Sequence, residues 1–215
     1  MKKAFVILAA VCLFAIIGHS SAWAFGMGFY TTLADESADW RANGVTRPSD
    51  MEHTDVGLTF DTNLAADRLF NYRFELGKAE LEIKPFYDTV PPSKLELDGY
   101  VMSHDFGFGV QIIPLLRFWF GPELRFTWMD GTLASDPNVD LDLFGWGVGA
   151  AAGLNINFPG PVTIGIKGGY VVMNYRGEGQ YYNDLIGTYS DRHYNVDQDL
   201  SYVTVMLMFR TGRDR

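Results

Sequence analysis

Apolar and polar residues alternate along most of this chain with a period of two. Val56, Leu58 and Phe60 oppose Asp55, Gly57, Thr59 and Asp61, and Phe70, Tyr72, Phe74 and Leu76 oppose Asn71, Arg73 and Glu75. Phe106, Phe108, Val110 and Ile112 oppose Asp105, Gly107, Gly109 and Gln111. Leu116, Phe118, Phe120, Leu124, Phe126 and Trp128 oppose Arg117, Trp119, Gly121, Glu123 and Arg125. A two-residue period is the mark of a β-strand, because successive side chains leave opposite faces. The longest example is a hairpin from Leu143 to Tyr175. Its first arm carries Phe144, Trp146, Val148, Leu154 and Ile156 on one face, and glycines with Asn155 and Asn157 on the other. Phe158-Pro159-Gly160-Pro161 turns the chain, and the return arm places Lys167 among glycines. Further strands are predicted from Phe25 to Tyr30 and from Ser201 to Phe209.

Eight strands result, all antiparallel. Short turns are expected near 64–67, 113–115 and 157–161, and long polar loops near 33–52, 84–98, 129–140 and 177–197. Long and short connections alternate strictly, as in an up-and-down barrel with all its long loops at one end. Two local irregularities are expected. Beyond Gly77 the apolar parity shifts to Ala79, Leu81 and Ile83, which suggests a bulge. Pro122 lies inside a strand, where it cannot donate to the ladder.

Which face points outward decides between a soluble barrel of the lipocalin kind and a membrane barrel. The polar faces carry Asp55, Asp61, Arg73, Glu75, Asp105, Arg117, Glu123, Arg125 and Lys167, interleaved with glycines. Small residues suit the crowded interior of a narrow barrel. The opposite face is large, aromatic and nearly free of charge, with Tyr and Trp toward strand ends, as interfacial girdles are. The expected fold is therefore an all-β, eight-stranded antiparallel transmembrane barrel, with the nine charged residues as a lumen network. Its acidic and basic members roughly balance. The network reads either as an ion-paired plug or as a polar permeation path, and the plug suits eight strands better.

The first 24 residues form a secretory signal: Lys2 and Lys3, an apolar run from Ala4 to Ile17, then Ser21-Ala22-Trp23-Ala24. The apolar run is shorter than the roughly 20 residues a spanning helix needs. Cleavage after Ala24 leaves a barrel domain of residues 25–215. The single cysteine, Cys12, lies within the signal, so the remainder has no disulfide or thiolate chemistry. The formal charge of −9 argues against nucleic acid as a partner. No later apolar run reaches helical spanning length, so integral contact with a membrane would be made by strands.

The signal, the eight alternating strands, and stretches such as Phe106-Gly-Phe-Gly-Val-Gln111 and Phe120-Gly-Pro-Glu-Leu-Arg-Phe126 resemble the small bacterial outer-membrane β-barrels. That group includes the opacity-type proteins and the outer membrane protein A, X and W barrels. The resemblance implies an outer-membrane location with both termini periplasmic. It also implies lipid and lipopolysaccharide around the wall, and insertion by the barrel-assembly machinery. Members typically end in an aromatic residue; here Phe209 is followed by Arg-Thr-Gly-Arg-Asp-Arg215.

No catalytic, cofactor or metal site is expected. Ser103-His104-Asp105 alternates faces, so His104 would point away from both neighbours, whereas a triad needs its base within hydrogen-bond reach. The acidic stretch with Asp35, Glu36, Asp39, Asp50 and Glu52 lacks ordered ligand spacing for Ca²⁺ and reads as a solvated surface. Tyr181, Tyr182, Tyr189 and Tyr194 give the last long loop an adhesive composition. Two functions follow: a structural or surface-interaction protein acting through its loops, and alternatively a small porin or transporter passing small molecules, hydrophobic ones among them.

Overall fold

A computed structural model describes residues 25–42, 45–64, 69–86, 93–133, 136–183 and 188–211. The proposed signal lies outside the described residues. The strands are β1 (Phe25–Ala42), β2 (Val45–Asp61), β3 (Phe70–Phe86), β4 (Ser93–Ile113), β5 (Leu116–Leu133), β6 (Asp136–Asn157), β7 (Val162–Asn183) and β8 (Thr188–Thr211). Each pairs antiparallel with its chain neighbours, and β1 pairs with β8 to close the barrel.

The short turns expected near 113–115 and 157–161 fall where the pattern puts them, and most of the one expected near 64–67 lies outside the described residues. In the turn between β6 and β7, Gly160 has φ 100°, a left-handed conformation that favours glycine. The Phe158 N–H donates to the Val162 carbonyl at 3.1 Å, and Arg210 Nη2 donates to the Phe158 carbonyl at 2.7 Å. Pro122 coincides with a break in the ladder: β4 and β5 pair at Asp105–Glu123 and next at Phe108–Phe120.

Among the described residues, most of the stretches expected as long loops are strand. The strands instead run on, and their lengths of 17 to 24 residues are about twice the 9–11 that a tilted span needs. What changes along them is which face is apolar. At the short-turn end, large apolar side chains such as Phe29, Leu58, Phe120, Trp146, Val172 and Val205 face outward and are exposed. A contiguous apolar exterior of this size fits hydrocarbon and not water. Further along, the outward positions become Glu52, Lys78, Asp98, Asp130, Asp142, Arg176 and Asp199. The inward positions become Met51, Leu81, Leu97, Met129, Leu143, Met173 and Leu200, all buried.

This inversion corrects the expected bulge at Gly77. Gly77 pairs in unbroken register with Gly57 and Val101. The parity shift records the wall leaving the membrane. Apolar residues face lipid up to Leu76 and face the interior from Ala79 onward. Above the boundary the outer wall carries ion pairs, among them Lys78–Asp98 at 3.1 Å and Lys94–Glu96 at 2.7 Å. Exposed pairs of this kind add little stability, but they keep that part of the wall in water. Glu36, Asp39, Asp50 and Glu52 of the acidic stretch sit on β1 and β2 in this region, not in a loop. The side chain of Asp35 lies outside those described.

The seam between β1 and β8 has one interruption. The ladder runs from Phe25–Thr211 to Ala34–Tyr202 and resumes at Ala38–Gln198. Between these points Glu36 Oε1 accepts from the Ser201 N–H at 2.8 Å.

Candidate functional site

The interior is two layers stacked along one axis. All nine charged residues expected in the lumen lie inside the wall of the membrane-spanning layer, none more than 1% exposed. The staggered strands bring them together in three groups. Nearest the short turns, Arg73 donates to Asp61 from Nη2 at 2.7 Å and Nε at 3.0 Å, and to Asn155 Oδ1 at 3.1 Å. Its guanidinium lies 4.5 Å from the centroid of the Trp119 ring. Arg117 reaches Asn71 Oδ1 at 3.4 Å.

In the middle, Lys167 Nζ bridges Glu75 at 2.6 Å and Asp105 at 3.1 Å, and Ser103 Oγ donates to the same Glu75 oxygen at 2.9 Å. Beside it, Arg125 Nε donates to Glu123 at 3.2 Å and packs 4.4 Å from the Tyr202 ring centroid. The Tyr202 hydroxyl donates to the other Glu123 oxygen. Arg125 also lies 3.8 Å from Asp55, whose Oδ2 is 2.9 Å from His53 Nε2. Burying charges is costly, and mutual pairing with hydrogen bonds offsets that cost. The membrane layer is thus filled by ion pairs, some made along one strand, as Arg125–Glu123 and His53–Asp55, and others made between strands, as Lys167–Glu75 and Arg73–Asp61.

Trp119 occupies space created by a glycine. A Cβ on Gly153 would lie 2.7 Å from Trp119 Nε1 and 2.7 Å from the Ile166 carbonyl oxygen. Gly153→Val is expected to displace the indole from Arg73 and to destabilise the barrel by about 1–3 kcal/mol, read from urea unfolding in detergent or lipid.

The outer layer is apolar. Trp40, Leu81, Ile83, Leu97, Val196 and the methionines Met51, Met129 and Met173 form one cluster in it. Tyr194, grouped by sequence with an adhesive loop, is buried here with its ring 5.3 Å from that of Trp40. The side chains of Tyr181, Tyr182 and Tyr189 lie outside those described. At the junction of the layers stand His53, Tyr175 and Gln198. The Tyr175 hydroxyl donates to Gln198 Oε1 at 3.1 Å.

Sequence reasoning missed His53, Trp119, Tyr202 and Gln198 as interior partners. Their inward parity was readable, but their partners depend on the stagger between strands. For Ser103-His104-Asp105, Ser103 and Asp105 face inward. His104 faces outward, accepting or donating to the Tyr72 hydroxyl through Nδ1 at 2.7 Å.

An up-and-down, eight-stranded closed sheet with an apolar outer belt and a charged lumen has the architecture of the small outer-membrane β-barrels. Among solved structures, the outer membrane protein OprG from Pseudomonas aeruginosa matches with a TM-score of 0.68 at 15% identity, over 89% of this chain and 97% of that one. The outer membrane protein AlkL in lipid bilayers matches with a TM-score of 0.51 at 11% identity, over 90% of this chain and 92% of that one. At these identities the likeness is one of fold. No family model matches the chain, and no curated protein matches it.

Proposed function

We propose that this barrel admits small apolar molecules into its outer lumen and does not act as an open aqueous pore. One observation carries the reading: an apolar layer inside a water-facing wall, stacked on a layer closed by ion pairs. Ions and polar solutes would have to break the bridges of Lys167, Arg73 and Arg125 to pass. Apolar solutes would gain the contacts that the outer lumen offers. On this reading the protein sits in the outer membrane with its short turns and both termini periplasmic and the longer wall facing outside. Lipid and lipopolysaccharide surround the belt, with Lys78, Lys84 and Lys94 near the headgroup level, and insertion falls to the barrel-assembly machinery.

In planar bilayers the protein is expected to give no steady single-channel steps in salt, while proteoliposomes carrying it bind or take up an alkane above the level of empty vesicles. Regular steps that change in size with Arg117→Ala or Glu123→Gln would refute the closed layer. A surface-interaction role is the second reading, favoured by the charged wall that continues beyond the apolar belt. Loss of a surface phenotype on neutralising Lys84, Lys94 and Arg176, with alkane binding intact, would support it.

A further inference from the structure

The wall is uneven at the short-turn end. β3 begins at Phe70, which pairs with Phe108, while β4 runs on to Ile113. The Gly109 N–H still donates to the Leu69 carbonyl at 2.6 Å. Beyond Gly109, β4 has β5 on one side and, among the described residues, no strand on the other. Alternate residues of a strand send their N–H and C=O to the same side, so those of Gln111 point out along this open edge. A groove of 510 Å³ lies beside it, lined by Leu69, Gly109, Val110, Gln111, Ile112 and Ile113. Leu69, Val110, Ile112 and Ile113 are all exposed. The inner side of the edge is positive. Arg117 is the cross-strand partner of Gln111 on β5. Its guanidinium crosses β4 over Gly109, where a Cβ would lie 2.6 Å from Nη2, and reaches Asn71 Oδ1 on β3 at 3.4 Å. An open sheet edge does not occur in hydrocarbon, so Gln111 stands at or beyond the rim of the apolar belt, within reach of the aqueous phase.

We propose that this edge is a docking site for an extended peptide that adds to the sheet antiparallel to β4, with apolar residues at alternate positions and a carboxylate between them. The residue opposite Gln111 exchanges both main-chain hydrogen bonds with it. Its side chain points to the inner face, as that of Gln111 does, and a carboxylate there meets the charge of Arg117. Its two neighbours point outward into the groove, beside Val110 and Ile112. Strand addition draws affinity from the main-chain bonds and specificity from the alternate side chains. A second copy of the chain does not fit the edge. Two barrels in one membrane present β4 running in the same sense, and strands tilted by roughly 40° cross when one barrel is turned about the membrane normal. No antiparallel pair results.

The full barrel in lipid nanodiscs is titrated calorimetrically with the probe Ac-Thr-Val-Glu-Val-Thr-NH2, against empty nanodiscs. N-methylation at Glu, whose N–H faces β4, is expected to weaken binding about tenfold, as loss of a main-chain hydrogen bond in a closed contact does. N-methylation at either Val, whose N–H faces away, is expected to change it by no more than about twofold. Replacing Glu of the probe by Gln is expected to weaken binding about threefold, the scale of one partly screened charge pair. Gln111→Pro removes the edge N–H where no ladder bond uses it. That variant is expected to fold, as the heat-dependent gel shift reports, and to lose the probe, while Gln111→Ala keeps it. No binding of the probe, or equal weakening by methylation at Glu and at Val, overturns strand addition, and this series needs no variant of the barrel. Equal binding of the Glu and Gln probes overturns the carboxylate assignment. A wild-type dimer that Gln111→Pro dissociates, read by native mass spectrometry, overturns the peptide in favour of a second copy.

Discussion

Lys167→Met is expected to destabilise the folded barrel by about 3–5 kcal/mol, the cost of leaving a buried charge without its partner. Lys167 is fully buried and is the ammonium that bridges Glu75 and Asp105. Its removal leaves two carboxylates facing each other within the membrane layer. Met fills much the same volume, so the loss is electrostatic and not a cavity. Adding Glu75→Gln and Asp105→Asn to Lys167→Met should recover most of the loss, because the uncompensated charges go with the cation. Equilibrium urea unfolding in lipid vesicles reads both. A near-neutral single variant would mean that water reaches this layer freely and that the lumen is open.

The second large effect is positional and runs along β8. Val205→Arg, outward in the middle of the apolar belt, should cost about 2–4 kcal/mol, as arginine does at a bilayer midplane. Val196→Arg, nine residues nearer the other end and buried inside the apolar layer, should also cost several kcal/mol, because an isolated charge is forced into an apolar interior. Asn195→Arg, its exposed neighbour, should change stability by no more than about 0.5 kcal/mol. The sensitive face thus switches from outside to inside along one strand. A barrel embedded in lipid over its whole length predicts the opposite at 195. The same unfolding measurement decides between the two.

The period of two carried most of the fold. The eight strands, their order, the short turns and the inward direction of Asp55, Arg73 and Lys167 all follow from it. The outer half of the wall reads as loops when lipid-facing apolar residues are the sign of a strand. Leu95-Glu-Leu97 and Leu141-Asp-Leu143 alternate just as well, with the apolar residues turned inward and the charges turned to water. Near Gly77 the change of environment imitated a bulge, since a slip of one residue and an inversion of faces produce the same parity shift. The partners of Lys167 were beyond reach for another reason. Glu75 is 92 residues away in sequence, and the pairing depends on the stagger accumulated around the barrel.

The inversion also sets the depth of the protein. In a barrel whose outer surface fades gradually from apolar to polar, a shift of a few ångströms along the membrane normal is tolerated. Here the outward ring of Lys78, Asp98, Asp130, Asp142 and Asp199 begins immediately where the belt ends. Sinking by one pair of residues would draw those charges into hydrocarbon, and rising by one would lift Leu33, Leu76 and Tyr100 into water. The barrel is therefore matched to one hydrocarbon thickness, and the surrounding lipid must thin or thicken to meet it.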